Sequence, residues 1–150
     1  MYLFERRLTS LEQMIRNVAH KYRPELVNNH VDSSFIAWRQ WAFIETLRRT
    51  ISIIHIVNVV SARLKKQNQF FYEALDDELL LDMPLPAPAH LWDAATEGQW
   101  LVARSKLPQT MVTGRMVLQE GASMPEDADA FTRMLVGCLV PDDLSTTIGN

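Results

Sequence analysis

Cysteine occurs once in the 150 residues, at Cys138. A disulfide within the chain is therefore excluded, and so is a cysteine-based zinc cluster, which needs several thiolates at short spacings. The five glycines are dispersed, so there is no Gly-rich loop to cradle a phosphate and no Gly-x-Ser-x-Gly turn to present a nucleophile. Basic residues form no block. They are scattered, singly or in the pairs Arg6-Arg7, Arg48-Arg49 and Lys65-Lys66, in a chain of net charge −3 and pI about 5.8. Direct nucleic-acid binding needs clustered cations that displace counterions, and this distribution is a poor footprint for it. Long apolar runs are missing as well. The longest stretch, Ile51–Ala62, is interrupted by Ser52, His55, Asn58 and Ser61, too short and too polar to span a bilayer. Residues Met1–Leu8 include Glu5, Arg6 and Arg7 and have no apolar core or small-residue cleavage site, so no secretory signal is expected. The expectation is a soluble protein inside the cell.

What is present is an ordinary globular composition, 47% apolar and 22% charged, in a chain long enough for one domain with a real core. The patterning is helical. Phe4, Leu8, Leu11, Ile15, Val18 and Tyr22 recur at the spacing of one helix face. Thr9 and Glu12 can form a capping box for a shorter version of that helix, and Pro24 should end it near Arg23. Asp32, Ser33 and Ser34 are good caps for a long second helix, roughly Ser34–Leu64. Ile44, Leu47, Ile51 and Ile54 form its stripe, and from Ile51 apolar residues occur nearly all round, as in a buried helix. The β-branched run Ile51–Val60 also admits a strand, but no Gly or Pro intervenes after the cap, which favours helix.

Phe70, Phe71 and Tyr72 begin either a third helix to about Leu75 or the end of a bent second one. Pro84, Pro86 and Pro88 alternate with Leu85 and Ala87, which holds the chain extended. A short helix at Ala89–Ala95 should turn Leu91 and Trp92 inward. Thr96 and Gln99 form a capping box for a helix with Trp100, Leu101 and Ala103. Pro108 opens a segment to Gln119, broken at Gly121–Ser123. Pro125, capped by Ser123 or Met124, should start a last helix with Phe131, Leu135 and Cys138 on one face. Pro141 ends it, and residues 142–150 read as frayed.

Candidate chemistry is sparse. His20, His30, His55 and His90 make no helical ligand pair. His55, in the apolar run, is the one expected to be buried and to need a hydrogen-bond partner. Asp76, Asp77, Glu78 and Asp82 read as a solvated loop with helix-start charges in preference to a metal site or an acidic partner patch. Nothing activates Cys138 as a nucleophile. Glu45, Arg48 and Arg49 are the exception. Their i, i+3, i+4 spacing brings two guanidinium groups to one carboxylate. Near the core they can tie loop carbonyls, or carboxylates such as Asp82 or Asp93, and so clamp the long helix to the Leu-Pro segment. The alternative is a contact with an effector or partner. Trp38, Trp41, Trp92 and Trp100 read as core more readily than as the lining of a small-molecule pocket.

Two stretches carry more than composition does. One is Trp38–Thr50, WRQWAFIETLRRT, with Trp38, Trp41, Glu45, Arg48, Arg49 and Thr50. The other is Leu79–Trp100, with Pro84, Leu85, Pro86, Leu91, Trp92 and Trp100. In order and spacing they resemble the fungal-specific transcription factor domain, the helical "middle homology region" that accompanies a zinc-dependent DNA-binding module. The resemblance is strongest over residues 34–107. The Trp-x-x-Trp with Glu-x-x-Arg-Arg looks most like the branch with two-Cys, two-His fingers; six-Cys binuclear clusters are the other possibility. The resemblance implies an all-α regulatory domain, with a long central helix and a Pro-rich turn, that influences RNA polymerase II transcription in the nucleus. It implies no catalytic, cofactor or metal residues here, zinc belonging to the family's separate module. DNA would be reached only indirectly, and partners would be proteins. The family's zinc module is absent from these residues, and its regulatory region is usually longer. A fragment of a larger helical domain should expose apolar surface and self-associate or bind another transcription factor. The alternative function is a stand-alone helical adaptor or inhibitor that binds a full-length factor.

Overall fold

The computed structural model describes residues 2–30, 38–64 and 77–140; the side chains of residues 2–9 and 77 lie outside that description. Within it the chain is all helical, with no strands. Eight helices follow in order: α1 (Tyr2–Lys21), α2 (Arg23–Leu26), α3 (Trp38–Leu64), α4 (Asp77–Asp82), α5 (Ala89–Trp92), α6 (Glu97–Ser105), α7 (Gly114–Gln119) and α8 (Ala130–Leu139).

The spine is α3. At 27 residues it is about 40 Å long, and it contributes to three separate apolar clusters. Ile44, Leu47 and Ile51 meet Ile15 and Ala19 of α1, Leu26 of α2, and Leu79, Leu80 and Met83 around α4. Trp38 and Trp41 pack on Ala87, Leu91, Trp100 and Ala103. Ile56 and Val59 meet Phe131, Leu135, Cys138 and Leu139 of α8. The helix reading of Ile51–Val60 is the observed one. The apolar residues there are nevertheless not all buried, since Ile53, Val57, Val60 and Leu64 face outward. Among the described residues, the other elements leave this face of the helix largely uncovered. The expected caps at Asp32–Ser34 and the expected helix at Phe70–Leu75 lie outside the described residues.

Several local expectations are corrected. α1 runs through Thr9 without starting there; it ends at Lys21, near Arg23 as expected, but Arg23 and Pro24 then open α2, where the missing N–H of Pro24 costs nothing. Ile15 and Ala19 turn inward while Leu11 is exposed, because the elements packed on α1 reach its C-terminal half. α5 stops at Trp92. The last helix starts not at Pro125 but after Asp129, whose side chain accepts from the Thr132 amide at 2.8 Å. Pro125 opens a turn instead, with the Ala128 N–H donating to its carbonyl. The residues before Pro141 follow expectation: α8 ends at Leu139 and Val140 is extended. α6 has one half of its expected box, Thr96 Oγ1 accepting from the Gln99 backbone N–H; Gln99 Oε1 reaches back one residue further, to the Ala95 N–H.

Three extended segments lie side by side. Residues 110–113 pair with His30 on one side and Pro84 on the other through isolated antiparallel bridges. The Met111 N–H donates to Asn29 O at 2.7 Å, and the Leu85 N–H to Val112 O at 2.9 Å. This pairing fixes the Leu-Pro segment relative to the α2 end.

Asp129 gives a pH-dependent prediction. The Thr132 amide holds its carboxyl below the usual 3.8, against an opposing effect of burial. A carboxyl lowered on folding stabilises the fold above its ordinary value, and that contribution is lost as pH falls through the lowered one. Asp129→Ala is expected to cost about 1 kcal/mol at neutral pH. Asp129→Asn should keep most of the cap but lack the acid-dependent part. Urea unfolding of wild type and the Asn variant from neutral pH downwards should show their difference shrinking below the ordinary carboxyl range.

Candidate functional site

Glu45 is a carboxylate 1% exposed in the N-terminal third of α3. An ionised group at such a site must be paired and hydrogen-bonded. Its Oε1 accepts from the Ala87 amide at 2.8 Å and from Arg49 Nε at 3.2 Å. Its Oε2 lies 3.7 Å from Arg48 Nη1. Burial raises the Glu45 carboxyl, opposed by the Ala87 amide and by Arg48 and Arg49. Burial also lowers the Arg48 guanidinium, opposed by Glu45.

The two arginines diverge from this centre. Arg49 Nη2 donates to Ala87 O at 3.0 Å, so Glu45 and Arg49 between them hold both polar groups of one residue in the Leu-Pro segment. The Arg49 guanidinium also lies over the Trp92 ring, 4.6 Å from its centroid, and 5.7 Å from that of Phe131. Arg48 turns the other way. Its Nε donates to Leu26 O, and its Nη2 to Glu25 O and Asn28 O, all within 3.1 Å. These are carbonyls at the end of α2, which otherwise lack helical donors. One turn of α3 therefore fastens α2 on one side and the Leu-Pro segment with α5 on the other. Asp82 is not part of it: Asp82 and Glu78 instead bind Arg115 of α7, Asp82 Oδ1 at 2.7 Å from Nε.

The tryptophans lie beside the clamp. Trp41 is 5.7 Å from Trp100 and 6.2 Å from Trp92, ring centre to ring centre. Trp100 is wholly buried, and Trp38 and Trp41 are partly so. Trp92 does not turn inward as expected; it is 37% exposed, one face covered by Arg49. Leu91 is the residue of α5 that fills the core. Pro84 is buried and Pro86 half-buried. The signature residues Trp41, Glu45, Arg48, Arg49, Trp92 and Trp100 thus form one connected unit around Ala87.

An open, shallow groove lies along the Leu-Pro segment, away from the tryptophans. Leu85–Pro88, Leu107, Pro108, Met111 and Val112 make apolar walls, with Pro125 and Asp127–Asp129 at one side. Prolines line it, not the tryptophans. Among the described residues no group of three or more His, Cys, Asp or Glu side chains is placed to hold a metal ion. The expected partner of buried His55 is the Cys138 carbonyl, 3.0 Å from Nε2. A carbonyl only accepts, so Nε2 carries the proton, and the bond ties α3 to the end of α8. The Cys138 thiol is raised by burial, the opposite of activation.

Asp129, Thr113 and Arg115 are functional in the fold but were not singled out from sequence. Thr113 and Asp129 precede their helices as ordinary caps, a signal outweighed by the nearby prolines. Arg115 has no local signal, because its acidic partners lie 33 and 37 residues away. Compared with protein-family models, with curated proteins and with solved structures, the chain matches none.

Proposed function

We propose that the chain is a helical regulatory domain of a fungal transcription factor, acting in the nucleus through protein contacts. The observation that supports this is the convergence of the motif residues on Ala87. The residues by which the sequence resembles the fungal-specific transcription factor domain are spent on assembling one unit, with the charged ones bound to the chain's own carbonyls and amide. Groups committed in this way position helices. Contact with other proteins then falls to the apolar side chains left outside, among them Leu101 and Val102 of α6 and Met134 of α8. DNA would be reached through a zinc module or another protein.

The test is a tethering assay in a yeast nucleus. Fused to a heterologous DNA-binding module, the chain is expected to change transcription of a reporter bearing that module's site. Glu45→Ala, which releases the Leu-Pro segment, should abolish the change at equal protein abundance. A fusion that is folded, nuclear and abundant, yet leaves every reporter at the level of the DNA-binding module alone, overturns the proposal.

A further inference from the structure

Among the described residues, the outward face of α3 carries a regularity that the domain's own packing leaves largely unused; at its N-terminal end Tyr22 meets Phe43 edge-on, ring centres 5.2 Å apart. Counted in sevens, Phe43, Thr50, Val57 and Leu64 fall on one position, and Thr46, Ile53 and Val60 on a second, three residues later. This is the a/d pattern of a two-helix seam. Thr50 is half-buried and the others are exposed, Leu64 to 80%. No charge falls on either position between 43 and 64; the next one towards the N-terminus is the exposed Arg39. A helix face that simply met water would be polar there.

We propose that two copies of this chain pair through α3 in antiparallel orientation. The seam is lopsided, with small Thr46 and Thr50 in its first half and bulkier Ile53, Val57, Val60 and Leu64 in its second. A two-fold axis passing between Ile51 and Ser52 sets each a position against a d position of the other copy. Thr50 then meets the partner's Ile53, and Thr46 meets the partner's Val57. Phe43 meets the partner's Val60, and the aliphatic stem of Arg39 lies along the partner's Leu64. Small faces large at the inner layers, as interdigitating packing requires. The parallel alternative sets threonine on threonine and brings the two Arg39 guanidinium groups together in the seam, where like charges repel. The axis lies at the centre of the seam, so the same surface serves both copies, as a two-fold interface demands.

Area sets the strength. Residues 43–64 extend about 32 Å, and at a helix width of about 10 Å each copy contributes roughly 300 Å². That is well under the roughly 800 Å² per partner of a standard interface. The dimer is therefore a weak one that dissociates on dilution. Pairing through α3 does not depend on a role in transcription, and each can fail without the other.

The experiment is sedimentation velocity on the full chain over a roughly hundredfold concentration range in the micromolar region. Reversible dimerisation is expected. Val57→Lys should weaken it at least about tenfold while leaving the circular dichroism and melting temperature of the monomer unchanged, because Val57 is already exposed. A chain that stays monomeric throughout overturns the proposal, and so does a dimer that Val57→Lys leaves intact. Orientation is read by mixing a Thr50→Cys copy with an Ile53→Cys copy under mild oxidation; the native Cys138 is buried and does not compete. Mixed disulfides should form in preference to either homodisulfide. Preference for the homodisulfides would overturn the antiparallel register.

Discussion

Glu45→Ala is expected to destabilise the protein by about 3–5 kcal/mol, the cost of removing one partner from a buried ion pair and leaving the other uncompensated. The mechanism has two parts. Arg48 and Arg49, largely covered by protein, lose their counter-charge, and the Ala87 amide loses its acceptor. Each buried group left unsatisfied carries its own desolvation cost. A domain of this size is typically stable by about 5–15 kcal/mol, so a single substitution removes a large share. With a urea m-value of about 2 kcal/mol/M, the midpoint should fall by about 2 M.

The arginines separate the two halves of the clamp. Arg49→Ala should release Ala87 and uncover Trp92, and Arg48→Ala should loosen the end of α2. Adding Arg49→Ala to Glu45→Ala should cost much less than the sum of the two, since both act on the same peptide group. Full additivity, or wild-type stability in all three single variants, would show that these contacts do not hold the segment.

The second large effect is at Trp100. It is buried to 1% exposure, packs at a tilt of 47° against Trp41, and has Arg104 over its ring at 5.1 Å. Trp100→Ala should cost about 3–5 kcal/mol, because the surrounding helices cannot close on so large a void. For a chain of this length that is a fall in melting temperature of roughly 10 °C. Trp100→Phe should behave differently. The buried indole Nε1–H has no hydrogen-bond partner among the described residues, and phenylalanine removes that donor while keeping an aromatic ring. The loss of volume is offset by relief of an unsatisfied polar group, and the net change should stay within about 1.5 kcal/mol. Differential scanning calorimetry of the two variants decides this. If Phe is as damaging as Ala, the indole N–H is satisfied in solution and the site is more polar than the geometry indicates.

What the sequence made visible is what is local. The spacing of Glu45, Arg48 and Arg49 on one helix is enough to see a cluster of two cations on a carboxylate, and Thr96 with Gln99 is enough to see a cap. The length of α3 follows from a run without Gly or Pro. What stayed hidden is which distant backbone each group meets. Arg48 and Arg49 bind carbonyls, and no side-chain chemistry marks a carbonyl in advance; Asp82, a visible candidate, is held by Arg115 instead. Which face of a helix is covered is hidden for the same reason. Periodicity shows that Leu11 shares a stripe with Ile15, but only the placement of α2 and α3 decides which of the two is covered. The rule that large aromatics go inside places Trp92 in the core, yet its ring lies at the surface with Arg49 over it. The run after Ile51 looked buried all round because composition does not distinguish a core from a seam that faces outward.

One consequence of the alternating prolines concerns aggregation. An extended, apolar stretch such as Pro84–Pro88 would ordinarily invite a second chain to add to it edge to edge. Proline occupies every other position, leaving only Leu85 and Ala87 with backbone donors. Both are already taken, by Val112 and Glu45. The segment therefore offers an incoming strand no backbone donor, and its Ala87 and Pro88 carbonyls are themselves taken, by Arg49 and by amides of α5. It cannot template a ladder, however much apolar surface it shows, and the clamp at Glu45 is part of what keeps that edge closed.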